Sequence, residues 1–297
     1  MHINHNSQQG FRGSDQTSNR DFKFAVTVAP WALKGAPVLL CGELRPQFEQ
    51  AKAIGYDAIE LHLRTPDDAN VSEICALCDE FDIRISTVAT GLSKLVDKLS
   101  FIDDDAKVRS TAVDRIKEFI DWSTVLECGV IIGSMRGSIP NLNNKVEYVQ
   151  RMSDCLGKIL SYAEPAKVPI YLEVINRYEN NYLNTALETL DYIRSFKSDY
   201  LLVHLDTFHM NIEENSMEKA IILCGSKLGY IHFADNNRHA CGDGTIDFQK
   251  VMIALEHISY KGYISVECLP LPDGISAARN SIANLKGLMK IMEEKTL

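Results

Sequence analysis

Four short apolar runs in the second half of the chain each stop on a residue that can titrate. Residues 168–172 are followed by Glu173, 200–205 by Asp206, 228–231 by His232 and 262–266 by Glu267. Each run has the length and the β-branched or aromatic content of a buried parallel strand. A strand with a purely structural role has no reason to end on such a group. The terminal residues are 33, 26 and 35 positions apart, room enough each time for a loop, a helix and the return to a parallel strand. Parallel strands in one sheet present their C-terminal ends along one edge, so this spacing delivers Glu, Asp, His and Glu to a single rim.

The alternation extends back through the first half. Strands are predicted at 22–29, 57–63, 83–89 and 130–133, and helices at 43–55, 71–81, 107–126, 145–163 and, near the end, 275–292. Phe48, Ala51 and Ile54 recur at helical spacing before Gly55, a helix stop. Val108, Ala112, Ile116, Phe119, Ile120 and Trp122 give the segment 107–126 a broad apolar face. Eight strand candidates alternate with helices, with no linker long enough to separate two domains. A (β/α)8 barrel needs roughly 250 residues, and the chain has 297. No glycine-rich dinucleotide fingerprint follows the first strand, and the charged strand ends fall late in the chain. A single (β/α)8 TIM barrel over residues 22–297 is therefore expected in preference to an open sheet. Residues 1–21, which include His2 and His5, are polar and nearly free of apolar side chains. They bury too little to offset ordering entropy and are expected as a flexible tail.

A formal net charge of −9, with Lys and Arg scattered along the chain, argues against a nucleic-acid surface, which needs a positive stripe or patch. No apolar run reaches membrane-spanning length, and the first 20 residues lack a signal-peptide core. The eight cysteines lie mostly within apolar helix or strand patterns, as packed, reduced thiols do in a cytoplasmic protein. Cys75 and Cys78 form a CxxC without a second pair, a weak signal for metal or redox chemistry. A small-molecule substrate is the partner this composition favours.

Three carboxylates and an imidazole brought to one point would repel one another, and a divalent cation removes that penalty. One such ion is expected, held by Glu173, Asp206, His232 and Glu267. Oxygen donors with one nitrogen and no thiolate suit Mn²⁺, Mg²⁺ or Co²⁺ better than a structural zinc site, with Mn²⁺ ranked first. Zinc stays open because the affinity order favours it. Singly, a Glu at a strand end is usually a solvated rim residue and a lone His a satisfied structural group. Four on consecutive units, at the end where barrel sites form, make the ligand set the stronger reading.

The segments LEVINRYE (172–179), LDTFHMNIEE (205–214), HFADNNRHACGDG (232–244) and SVEC (265–268) resemble the sugar isomerase/epimerase superfamily with the xylose-isomerase-like barrel. Within it they are most similar to the D-tagatose and D-psicose 3-epimerase group. A weaker likeness runs through 90–109, so the resemblance covers nearly all of the chain after the polar tail. It implies the same four metal ligands and assigns Glu173 and Glu267 as the acid/base carboxylates. It also implies that Glu179, His209 and Arg238 contact substrate oxygens, and that the protein is a homo-oligomer. One stretch departs from the pattern: GSMRGSIP (133–140) stands where those enzymes carry an aromatic. Arg136, just beyond a barrel strand, is suited to hold a carboxylate or phosphate bidentately, or to pair with a neighbouring acid.

Inverting a carbinol carbon beside a ketone means removing a proton from one face and returning one to the other. Two carboxylates flanking the sugar supply this, and a cation at the carbonyl and adjacent hydroxyl stabilises the enediolate. The expected activity is thus that of a divalent-metal-dependent isomerase or epimerase acting on a sugar or sugar phosphate. Aldose–ketose isomerisation uses the same parts. The alternative is a metal-dependent lyase, dehydratase or decarboxylase on an oxidised sugar or sugar acid. Repair-endonuclease chemistry would need a histidine-rich multi-zinc site, and a purely sugar-binding barrel has little use for paired acids around a metal.

Overall fold

The computed structural model describes residues 22–294, so the polar segment 1–21, expected as a tail, lies outside the described residues. In chain order the first half contains β1 (Lys23–Ala29), β2 (Leu40–Cys41), α1 (Leu44–Ile54), β3 (Ala58–His62), α2 (Val71–Phe81), β4 (Arg84–Ala89), α3 (Gly91–Leu95), α4 (Ala106–Leu126) and β5 (Gly129–Ile132). The second half contains α5 (Lys145–Ala166), β6 (Ile170–Glu173), α6 (Ala186–Arg194), β7 (Leu201–Asp206), α7 (Thr207–Glu213), α8 (Met217–Cys224), β8 (Leu228–Phe233), α9 (Phe248–His257), β9 (Tyr263–Val266) and α10 (Gly274–Glu294). Strands β1 and β3 to β9 pair in sequence order and β9 closes on β1, every pairing parallel. This is the expected (β/α)8 barrel. The two-residue β2 is an addition, laid against the end of β1 and tied there by a hydrogen bond from Leu39 N–H to Thr27 Oγ1 (3.0 Å).

Local chemistry explains where helices begin and end. Asn70, Asp105, Thr185 and Asp247 each accept a hydrogen bond from the first turn of α2, α4, α6 and α9. Gly55 ends α1 in the left-handed region at φ 103°, as its position in the sequence suggests.

Two cores result from the period-two alternation of the strands. Val130 and Ile132, Ile170 and Leu172, Val203 and Leu205, Ile231 and Phe233, and Ile264 and Val266 face out and pack with helix residues such as Ile116, Phe119 and Ile120. The intervening residues face the lumen, where Ala89, Ile131 and Tyr230 form a separate small cluster with Tyr171 and Tyr263. Above this tyrosine floor the same parity places Glu60, His204, Asp206, His232 and Ser265, all buried. Expectation and structure differ at the strand ends. β6 and β7 include Glu173 and Asp206, and β8 runs past His232, because these residues remain in the ladder: Glu173 is level with His204, and Asp206 with His232. A polar side chain does not end a strand when the lumen receives it.

Candidate metal centre and substrate pocket

The barrel gathers the four strand-end residues at its C-terminal rim. One ligand-type atom from each of Glu173, Asp206, His232 and Glu267 lies within 4.8 Å of the others. His232 Nδ1 faces Asp206 Oδ2 at 3.8 Å and Glu267 Oε2 at 3.5 Å. Asp206 Oδ2 and His232 Nδ1 are buried and make no hydrogen bond. A buried acceptor and an imidazole nitrogen left unpartnered across such a gap are satisfied by a shared cation.

The imidazole is held for that task from behind. Its Nε2 donates to Glu60 Oε2 at 2.8 Å and leaves Nδ1 as the nitrogen that could ligate an ion, as where an outer carboxylate fixes a metal-binding histidine. Tyr230 Oη also donates to Glu60 Oε2 (3.0 Å) and exchanges a 2.7 Å hydrogen bond with Ser86. His204 stands edge-on to His232, ring centroids 4.1 Å apart, with both of its nitrogens unpartnered. Sequence reasoning missed Glu60 and His204. The available signal was a carboxylate at the centre of the apolar strand AIELH and an imidazole inside LLVHLD.

The approach of Glu173 depends on Gly133 at the end of β5, where a Cβ would fall 2.1 Å from Glu173 Oε2.

Electrostatics separate the two outer carboxylates. Burial, reinforced by the charges of Glu267 and Asp206, pushes Glu173 up to about 8. Burial would also raise Glu267, but the nearby charge of His232, with that of Arg238, outweighs it and holds Glu267 at about 2. Asp206 is pushed up to about 6, mainly by burial against the pull of His232. Burial lowers His232, yet Glu60 and Glu267 overcome it and raise the imidazole well above its ordinary value. Protons on Glu173 and His232 thus balance the cluster, and a divalent cation would replace them.

His209, Glu179 and Arg238, expected at the substrate, all line one pocket of about 340 Å³ with Glu173, His232 and Glu267. Asn176 Nδ2 donates to His209 Nδ1 (2.7 Å), which places the His209 proton on Nε2, the nitrogen 3.8 Å from Glu173 Oε1. Burial, with the Arg238 charge, lowers His209 to about 3, so the ring is neutral. Arg238 donates to Glu267 Oε2 (3.3 Å) and Glu179 Oε1 (3.4 Å) and lies 4.9 Å from the centre of the Phe208 ring.

Arg136 is elsewhere. It is fully buried, does not line the pocket, and makes no ion pair among the described residues. Its Nη1 donates to the Leu183 carbonyl (3.1 Å), the guanidinium sits 5.3 Å from the Tyr182 ring centre, and Nε and Nη2 are unpartnered. Neither that pocket nor an acidic partner among the described residues meets its guanidinium. A tight turn at 134–136 carries the side chain under the 180–183 loop, where Tyr182 Oη in turn donates to the Arg136 carbonyl.

A hollow of about 600 Å³ opens at the opposite end of the barrel around Lys23, Arg84 and Lys261. No cluster of three or more metal-ligating side chains among the described residues lies there; the chemistry belongs to the rim with the carboxylates.

A closed parallel barrel that gathers three carboxylates and an imidazole at its C-terminal rim is the framework of a metal-assisted enzyme of the isomerase type. Residues 48–286 match the family described as xylose isomerase-like TIM barrel, and the chain belongs to it. It is 34% identical over 246 residues to an L-ribulose 3-epimerase of Methylomonas sp., spanning 80% of this chain and 79% of that one. It is 30% identical over 230 residues to a D-psicose 3-epimerase of Agrobacterium fabrum, spanning 75% and 78%. A solved structure of an L-ribulose 3-epimerase superposes with a TM-score of 0.78 at 24% identity, over 93% of this chain and 97% of that one, which supports the shared fold.

Proposed function

We propose that this protein is a divalent-metal-dependent ketose 3-epimerase. The observation that carries the reading is the convergence of Glu173, Asp206, His232 and Glu267 within 4.8 Å of one another beside one pocket, in a chain similar to ketose 3-epimerases over most of its length. Glu267, ionised and steadied by Arg238 and His232, removes the proton from the carbinol carbon beside the ketone. In the sugar complex Glu173 delivers a proton to the other face and is left as a carboxylate, and the roles exchange in the reverse direction. His209 presents Nε2–H, and Arg238 its guanidinium, to the substrate's oxygens. Glu179, partly exposed at the rim, accepts from a hydroxyl. Glu173, Asp206, His232 and Glu267 would hold the ion. When bound, it supplies positive charge beside the substrate carbonyl and so lowers the cost of removing the neighbouring proton.

A free ketose suits the pocket better than a phosphorylated or carboxylated sugar. With Arg136 buried elsewhere, the wall's cations are Arg238, engaged by two glutamates, and Lys34, which is exposed. The relatives reported above are epimerases, and nothing in the pocket favours the lyase or dehydratase alternative. We extend the reading to Mn²⁺, supported by three oxygen donors with one nitrogen. Free thiols at all eight cysteines support a reducing, cytoplasmic setting. Exposed Ile222 and Ile253, on the neighbouring helices α8 and α9, support self-association.

The test is incubation of the Mn²⁺-loaded protein in D₂O with D-fructose, D-tagatose and L-ribulose, followed by NMR. Deuterium at C3 together with appearance of the 3-epimer is expected. Exchange at C1 alone would instead indicate aldose–ketose isomerisation, and no exchange in the ion-loaded protein would end the epimerase reading.

A further inference from the structure

His62, the last residue of β3, lies on the wall of the same pocket but belongs to neither the ligand set nor the acid/base pair. One of its ring nitrogens is within 4.8 Å of a Glu267 carboxylate oxygen. Its Nε2 is 2.8 Å from Glu60 Oε1. Glu60 is fully buried and already accepts from His232 Nε2 and Tyr230 Oη on its other oxygen. With three groups converging on it, Glu60 is an acceptor, so His62 Nε2 carries a proton and donates. In a neutral imidazole this leaves Nδ1 as an acceptor. Nδ1 makes no hydrogen bond among the described residues, and the side chain keeps 12% of its surface accessible.

A fixed donor on the protein side and an open acceptor beside an acid/base carboxylate make a recognition element. We infer that His62 is a specificity-determining substrate contact, its Nδ1 accepting a hydrogen bond from a ketose hydroxyl next to the carbon that Glu267 serves. The assignment rests on the epimerase reading and deepens it. A lone-pair acceptor selects a free hydroxyl there and disfavours a carbonyl or a carboxylate, neither of which can donate.

The two ring nitrogens can be separated by substitution. His62→Asn keeps an acceptor near the place of Nδ1, whereas His62→Gln keeps a donor near that of Nε2. Each variant, with His62→Leu, is assayed on D-fructose and on its 1-deoxy and 4-deoxy analogues, and Mn²⁺ affinity is measured separately by calorimetry. On D-fructose, His62→Gln and His62→Leu are expected to lose on the order of tenfold in kcat/KM, mostly through KM. His62→Asn should lose less. The loss should vanish on the 4-deoxy analogue, which lacks the hydroxyl next to C3, and persist on the 1-deoxy analogue, with Mn²⁺ affinity unchanged throughout. Equal losses on every ketose, rescue by Gln but not Asn, or a parallel fall in Mn²⁺ affinity would show that His62 merely props Glu60 and would overturn the assignment. Wild-type protein inactive on every ketose would overturn the epimerase reading and this assignment with it, whereas an active wild type with uniform losses overturns the assignment alone.

Discussion

On β8, Ile231 and Phe233 point outward into a layer of Val, Ile, Leu and Phe, whereas Tyr230 and His232, one residue away, point into a lumen of tyrosines, carboxylates and imidazoles. The outer layer joins strands to helices and holds most of the apolar burial, at about 1.5–3 kcal/mol for each large side chain fully removed from water. The lumen contributes little of that kind. It contains Glu60, His204, Asp206 and His232 at almost no exposure, an arrangement that stability alone would not select, because burying charge costs free energy unless it is paired or coordinated. The same strands therefore serve two purposes, and their alternation keeps these apart. Stability should follow the outward residues and activity the inward ones.

The widest separation should come from one substitution in each layer. Glu173→Gln should slow C3 deuterium exchange by on the order of 10²–10⁴-fold while leaving the urea midpoint of the ion-free protein unchanged or raised, since a buried carboxyl pushed up to about 8 becomes a neutral amide. Phe119→Ala in α4 should do the reverse, losing about 3–5 kcal/mol of stability with kcat of the folded fraction unchanged. If the two variants failed to dissociate, the division into layers would be wrong.

Gly133→Ala sharpens the comparison on the lumen side. The new methyl meets the far end of the Glu173 side chain rather than backbone, so the fold should survive while the carboxylate is displaced, at a cost of about 10²-fold in kcat. Circular dichroism and the exchange assay read the two effects.

A smaller effect should appear in the pH dependence of melting. Glu173 is raised from 4.5 to about 8, so the stability linked to its proton is complete below pH 4.5 and lost as pH rises through 8. His232, raised well above 6.5, acts in the same direction. Glu267, lowered to about 2, contributes stability present above pH 4.5 and lost as pH falls towards 2. In EDTA, Tm should decline from pH 5 to pH 8, and added Mn²⁺ should flatten or reverse that decline, because ligand deprotonation favours the ion. A decline of equal slope with and without Mn²⁺ would count against the four-residue site.

The smallest expected change is at Arg136, which belongs to neither layer's main business. Burial lowers its pKa, and Arg136→Met should shift stability by no more than about 1 kcal/mol and alter KM for neutral and anionic sugars by the same factor. A selective rise for anionic sugars would return Arg136 to the substrate.

Much of this was legible in the chain because it is local. Helical period, capping residues and apolar runs are set within a dozen residues, which is why α1, α2 and α4 appear within one or two residues of expectation. Glu173, Asp206, His232 and Glu267 announced themselves because each terminates an apolar run. His62 and Glu60 did not: they share a strand whose one-letter pattern reads as ordinary alternation, and neither has a partner nearby in sequence beyond the other. Arg136 shows the converse, where a residue type suited to anions at a strand end was turned inward by three residues of tight helix.

What the sequence by itself determined is the order of elements, the barrel, and the four strands that carry ligand-type groups, since these follow from periodicity and from chemistry at strand ends. Only tertiary closure decided what stands behind and beside them. Glu60 reaches His232 across 172 residues of chain because β3 and β8 face each other over the lumen, and such a contact leaves no trace in the local pattern of either strand.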